Sequence, residues 1–167
     1  MTEPGLDELT SRIRDASRLA SAADPARLRA VVALVRDRIT RPADFDEVAG
    51  FFFADAVEVP HDDLIPVDRT DTNTAAVLRL ARQIVAGIGT LEREPLEQRL
   101  RVLAAESGWT TRELLQTLRW ALSGKREMPP VVESMCLLGP ATCIERIDAA
   151  IDVLGSPENP ILGPSGR

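Results

Sequence analysis

The chain has 167 residues, enough for one domain or two small helical halves sharing a core, and a chain of this size buries roughly 70% of its unfolded surface without help from a metal or disulfide. Apolar residues make up 44% and charged residues 28%, with a helix-forming excess of alanine, leucine and arginine and few aromatics. The net charge of −6 argues against a broadly basic nucleic-acid-binding surface; yet 19 of the 20 cations are arginine, which suits bidentate contacts to phosphates and base edges, so a locally basic face stays compatible with the composition.

Leu6, Leu9, Ile13, Ala16 and Ala20 recur at helical spacing and predict a first helix. Asp24-Pro25 supplies an N-cap and a proline at the first helical position of a second, which carries Leu28, Val31, Leu34, Val35 and Ile39. Pro42 restarts the chain, and Phe45, Val48, Ala49, Phe52 and Phe53 form the next apolar face. Residues 55–72 hold prolines and aspartates without a helical period and read as an acidic linker or extended hairpin.

Thr72 to Gly89 is predicted as a helix with Ala76, Leu80, Ile84 and Ile88 on one face. Pro95 opens a helix carrying Leu96, Leu100 and Leu103 and stopped by Gly108. Thr110 and Glu113 form a capping box for the next, with Leu114, Leu115, Leu118 and Leu122, stopped by Gly124. Pro129-Pro130 starts a short helix over Val131 to Leu138, and Ile144, Ile147, Ile151 and Leu154 mark a closing one. The expected fold is all-α, with about eight helices. Its two helical halves, 1–54 and 73–155, are joined by the 55–72 linker, and a Pro/Gly-rich tail over 156–167 is expected to be disordered.

The sequence carries no catalytic constellation. His61 is the only histidine and falls in the acidic stretch, where a solvated surface residue is the expected reading; histidine-based zinc sites are excluded. There is no Gly-x-x-x-x-Gly-Lys-Ser/Thr loop, and Gly87-Ile88-Gly89 does not follow a strand. Asp62-Asp63 lacks a third carboxylate at a recognised ligand spacing. No catalytic residue, metal or cofactor is therefore expected. Cys136 and Cys143 read as buried reduced thiols; no apolar run is long enough to cross a membrane, and the N-terminus is acidic where a signal peptide would be basic. The expected location is cytoplasmic.

The distinctive stretch is Gln116-Thr-Leu-Arg-Trp-Ala-Leu-Ser-Gly124, then Met128-Pro-Pro-Val131, Leu137-Leu-Gly139 and Ile144-Glu-Arg-Ile-Asp-Ala-Ala150. It resembles the C-terminal anticodon-binding domain of bacterial glutamyl-tRNA synthetases, with its Leu-Arg-x-Ala-Leu-Thr-Gly segment, proline-containing turn and helix ending Leu-Leu-Gly. Upstream, Leu28 to Arg38 followed by Ala49-Gly-Phe-Phe-Phe53 is similar to the other half of that domain, so the resemblance covers about 27–154.

The resemblance implies a helical cage that grips the anticodon stem-loop of a glutamate tRNA, either detached from a catalytic synthetase domain or acting in trans with one. It assigns Gln116 and Arg119 to base contacts, Pro129 to the recognition turn and Val131 to apolar packing against a base, with Met128 in the same turn. Gln116 and Arg119 share a helix face, and a glutamine amide and an arginine fork suit exposed base edges. Arg112, Lys125 and Arg126 lie close by in sequence, within reach of phosphates. One histidine and one lysine exclude the His-x-Gly-His and Lys-Met-Ser-Lys signatures of the synthetase catalytic domain, so the chain is not expected to be an enzyme by itself.

Trp120, Met128 and Pro130 depart from the family pattern within this region. Two other functions compete with tRNA binding. Net acidity fits a protein-interaction or regulatory module that keeps the cage and has lost tRNA. Leu103 to Leu115 has the outline of a helix-turn-helix for DNA, although Arg112 and Arg119 are the only cations of its second helix.

Overall fold

Capping residues set several of the helix boundaries. The computed structural model describes residues 5–155, which leaves the predicted disorder of 156–167 outside the described residues. Ten α-helices lie among them: α1 Leu6–Ala16, α2 Arg18–Ala22, α3 Pro25–Val35, α4 Phe45–Ala49, α5 His61–Leu64, α6 Asp71–Ile88, α7 Arg93–Ser107, α8 Thr111–Ser123, α9 Val131–Leu138 and α10 Pro140–Gly155. Three single 3-10 turns, at 36–38, 42–44 and 50–52, complete the order, and no strand occurs among the described residues. The all-α expectation holds. Asp24 caps α3 by accepting from the Arg27 N–H at 3.0 Å, and Thr110 with Glu113 closes the capping box of α8.

Three readings need correction. The first predicted helix is two helices, because Ser17 leaves the helical conformation, accepts from the Ala20 N–H as the N-cap of α2 and donates its hydroxyl to Asp46. The stretch 55–72 contains α5, and Leu64 within it is fully buried, its carbonyl accepting from the Thr117 hydroxyl at 2.9 Å. Helix α6 also buries a different face from the predicted one. Ala76 and Leu80 are exposed, whereas Ala75, Leu78, Ala81 and Val85 are buried. The partner is α10, whose Asp148 pairs with Arg82 at 2.6 Å; the small side chains at 75 and 81 leave room for close helix packing.

Helix α1 packs on α2 and α3, and α3 on α4; α6, α7, α8, α9 and α10 form the larger group, with α5 against α8 and α10. The two groups meet where α3 touches α9 and where the turn Gly50–Phe52 touches α8. The 3-10 turn brings consecutive phenylalanines inward, so Phe51 is buried alongside Phe52, their rings stacked 4.2 Å apart. The carbonyls that this turn leaves without helical partners accept from two arginines: Arg27 donates to Phe52 O at 2.8 Å, and Arg146 donates to Phe51 O at 2.7 Å and Ala54 O at 2.9 Å. Arg146 also donates to Leu122 O, in the last turn of α8, at 2.6 Å.

The chain after Ala54 returns against the end of α8. A Cβ added at Gly124 would stand 2.4 Å from the Glu58 carbonyl oxygen, and Gly124 has φ +71. Gly108 has φ +76 but nothing within 4 Å of its missing Cβ. Gly108→Ala therefore carries only the left-handed backbone cost of about 1 kcal/mol, whereas Gly124→Ala adds a backbone clash for a total of about 2–4 kcal/mol. Urea denaturation of the two variants measures the difference, and equal losses would contradict the close approach.

Candidate nucleic-acid interface

Helix α8 buries Leu114, Thr117, Leu118, Ala121 and Leu122, which turns Arg112, Gln116 and Arg119 to the opposite side. Arg112 and Gln116 are exposed, and Arg119 and Trp120 half-buried. These four side chains line an open depression of about 710 Å3 with Arg126 and Glu127 from the loop after α8, and with Asp62, Asp63, Ile65, Pro66 and Val67 from the segment around α5. Most other arginines bond to carboxylates or carbonyls, but Arg112, Arg119 and Arg126 make no hydrogen bond or ion pair among the described residues. Their guanidinium donors face solvent in one place, ready for an acceptor-rich ligand.

The other predicted positions lie differently. Met128 is 7% exposed, Val131 5%, and Pro129 is buried too, so the turn after Glu127 is held by packing. Met128 and Pro129 border a second depression of about 350 Å3 with Arg38, Glu47, Val48 and Lys125; Arg126 and Glu127 border both. The Lys125 ammonium donates to the Glu47 carbonyl and so ties the loop to α4. Val131 borders a third depression, with Arg119 common to it and the first. The structure thus gathers Arg112, Gln116, Arg119 and Arg126 in one hollow, places Lys125, Met128 and Pro129 around an adjoining one, and sets Val131 beyond Arg119.

Sequence reasoning missed two residues here. Arg38 enters the sequence reading only as the end of the Leu28-to-Arg38 similarity, although its Arg36-Asp37-Arg38 context is an available signal. Trp120 was treated as a departure from a pattern, whereas it borders the arginine-lined hollow.

The electrostatics are mixed, since Asp62, Asp63 and Glu127 share the depression with the three arginines. Asp62 is engaged: His61 places Nδ1 2.8 Å from its carboxylate and Nε2 2.7 Å from that of Asp71, the first residue of α6. Both contacts are hydrogen bonds only when both ring nitrogens carry protons, so the cation is favoured and the bonds to Asp62 and then Asp71 raise the His61 pKa above 6.5. The expected solvated histidine is instead a clamp between α5 and α6. Glu113, at the start of α8, has its pKa lowered by hydrogen bonds from Arg69 and then from the Thr110 N–H. Arg69 also lies over the buried Trp109 ring at 5.0 Å. Burial pushes the Cys143 thiol up to about 12; Cys136 is half-buried, and both cysteines are free. No group of three or more metal-ligating side chains is present among the described residues, and none of their helices is long and apolar enough to cross a membrane.

The fold is that of an all-α domain with an arginine-lined depression on α8. Residues 6–151 match the family described as anticodon binding domain. The glutamate–tRNA ligase of Roseiflexus castenholzii is 30% identical over 132 residues, covering 79% of this chain and 26% of that protein. That of Moorella thermoacetica is 33% identical over 123 residues, covering 74% and 25%. The crystal structure of a glutamate tRNA ligase from Elizabethkingia meningosepticum superposes with a TM-score of 0.75 over 90% of this chain and 30% of that one, at 18% identity, which establishes likeness of fold. The chain belongs to the anticodon-binding domain family. It spans about a quarter of the length of the curated relatives it matches, and its 167 residues hold no synthetase catalytic domain.

The clamp gives a pH dependence of known sign. Because the folded-state pKa of His61 is raised, its stabilising contribution is fully present below pH 6.5 while the carboxylates stay ionised, and is lost as pH rises through the folded pKa. An NMR titration of this single histidine is expected to give a midpoint above 6.5, lowered by Asp71→Asn; a midpoint at or below 6.5 would contradict the clamp.

Proposed function

We propose that this chain binds the anticodon stem-loop of a glutamate tRNA in the cytoplasm. In this reading it serves aminoacylation with a catalytic domain that lies outside these 167 residues, whether detached from it or acting in trans. The observation that carries the proposal is the convergence of Arg112, Arg119 and Arg126, all without protein partners among the described residues, around the exposed Gln116 amide. Unpaired bases in a loop are read through their exposed edges, and the flanking backbone supplies phosphates. Gln116 and Arg119 are suited to the edges, and Arg112 and Arg126 to the backbone. The family of the chain supports the same reading.

A second reading is a protein-interaction module derived from the same cage. It is favoured by one observation: three carboxylates line the same hollow, in a chain of net charge −6.

Titration of a labelled glutamate tRNA, and of the same tRNA with a replaced anticodon, followed by fluorescence anisotropy at two salt concentrations, separates the two. Tighter binding to the native anticodon is expected. Arg119→Ala should cost about 1–3 kcal/mol and relax the preference between anticodons, whereas Arg112→Ala should weaken both tRNAs alike and reduce the salt slope by about one. Equal affinity for the two tRNAs would sink anticodon recognition, and no binding to either would favour the protein-interaction reading.

A further inference from the structure

The two tryptophans of this chain have opposite surroundings. Trp109 is 5% exposed, with Arg69 over its ring. Trp120 is half-buried on α8 and borders the arginine-lined hollow; among the described residues its indole has no stacked ring, no cation over its face and no hydrogen bond. Beside it in the hollow stand Ile65, Pro66 and Val67, the last 85% exposed. The indole packs on the core with part of its surface and borders the hollow with the rest, next to unpaired guanidinium groups, so that it offers a flat surface to a flat ligand.

We propose, building on the anticodon-binding reading, that Trp120 is a base-stacking residue which receives one unpaired base of the loop, with Arg119 and Gln116 at that base's edge. Val131, to which the family resemblance assigns the apolar contact with a base, is only 5% exposed, so Trp120 is the accessible apolar surface beside Arg119. The acidic side chains fit the same occupant. Asp63 and Glu127 have no partner among the described residues, and a base edge presents N–H donors that a carboxylate accepts, which a bare phosphate does not. The hollow therefore combines what a nucleotide needs: an apolar face for the ring, acceptors and donors for its edge, and cations for its phosphate.

The test uses the full chain and a 5′-fluorescein-labelled hairpin carrying the anticodon stem-loop of a glutamate tRNA, intact and with a single abasic nucleotide at each loop position in turn. Binding is followed by anisotropy for the wild type, Trp120→Leu and Trp120→Phe, each checked for folding by circular dichroism. Trp120→Leu is expected to bind the intact hairpin about tenfold more weakly, and Trp120→Phe, which keeps an aromatic face, to recover most of the affinity. One abasic position should weaken the wild type about as much as Trp120→Leu does, and should cost that variant nothing further. Equal affinity of Trp120→Leu and wild type would overturn the stacking role while leaving anticodon binding intact. So would abasic losses of the same size in both proteins, since Trp120 would then act only through the packing of α8. Absence of hairpin binding to the wild type would overturn both readings.

Discussion

Arg146 is a buried cation that makes no ion pair among the described residues: 4% exposed, it directs its guanidinium to three main-chain carbonyls, at Phe51, Ala54 and Leu122. Those oxygens belong to the 3-10 turn after α4, the irregular chain beyond it and the last turn of α8, which lack backbone donors for them. Burial lowers the Arg146 pKa, as expected for a cation away from water. Replacing the arginine with an apolar side chain would leave oxygens in the interior unpaired, at on the order of 1–3 kcal/mol for each one that water cannot reach. The first helical group, α8 and α10 thus converge on a single planar group.

The hollow draws one of its walls, α8 and the loop after it, from an element that Arg146 joins. The end of α8 is fixed at Leu122, Gly124 admits the Glu58 backbone against it, and Lys125 ties the loop to α4 through the Glu47 carbonyl. The next residues, Arg126 and Glu127, are exposed at the rim, and the chain turns inward again at Met128. On the other rim, Leu64 is anchored to Thr117 and the His61 clamp holds Asp62 to the start of α6. A helix face that might have been solvated on all sides becomes the floor of a bounded depression, where ligand contacts replace water over a larger surface.

Local chemistry made much of this legible in the sequence. Asp24-Pro25, Thr110 with Glu113, and Gly124 act within one helical turn, so the residues alone mark the boundaries. The spacing of Arg112, Gln116 and Arg119 places them on one helix face whatever surrounds it. What depended on other parts of the chain was harder to read. Helix α6 offers two apolar faces, and only the presence of α10 decides that Ala81 is buried and Leu80 exposed. Arg146 occupies what reads as a polar position, because a cation held by carbonyls leaves no charge pattern in the sequence. Met128 and Val131 flank a Pro-Pro turn whose burial is set by packing against distant segments, and the inward rotation of Phe51 follows from a 3-10 turn that α-helical periodicity does not anticipate.

One guanidinium, that of Arg146, couples the first helical group to the end of α8. Native-state hydrogen exchange on Arg146→Met, which keeps an apolar side chain of similar length, tests it most directly. Protection should fall together in the amides of 50–54, the last turn of α8 and the loop 124–128, because all three lose a shared anchor. Loss confined to α10, or unchanged protection in 50–54, would show that the two groups are held together by apolar packing alone.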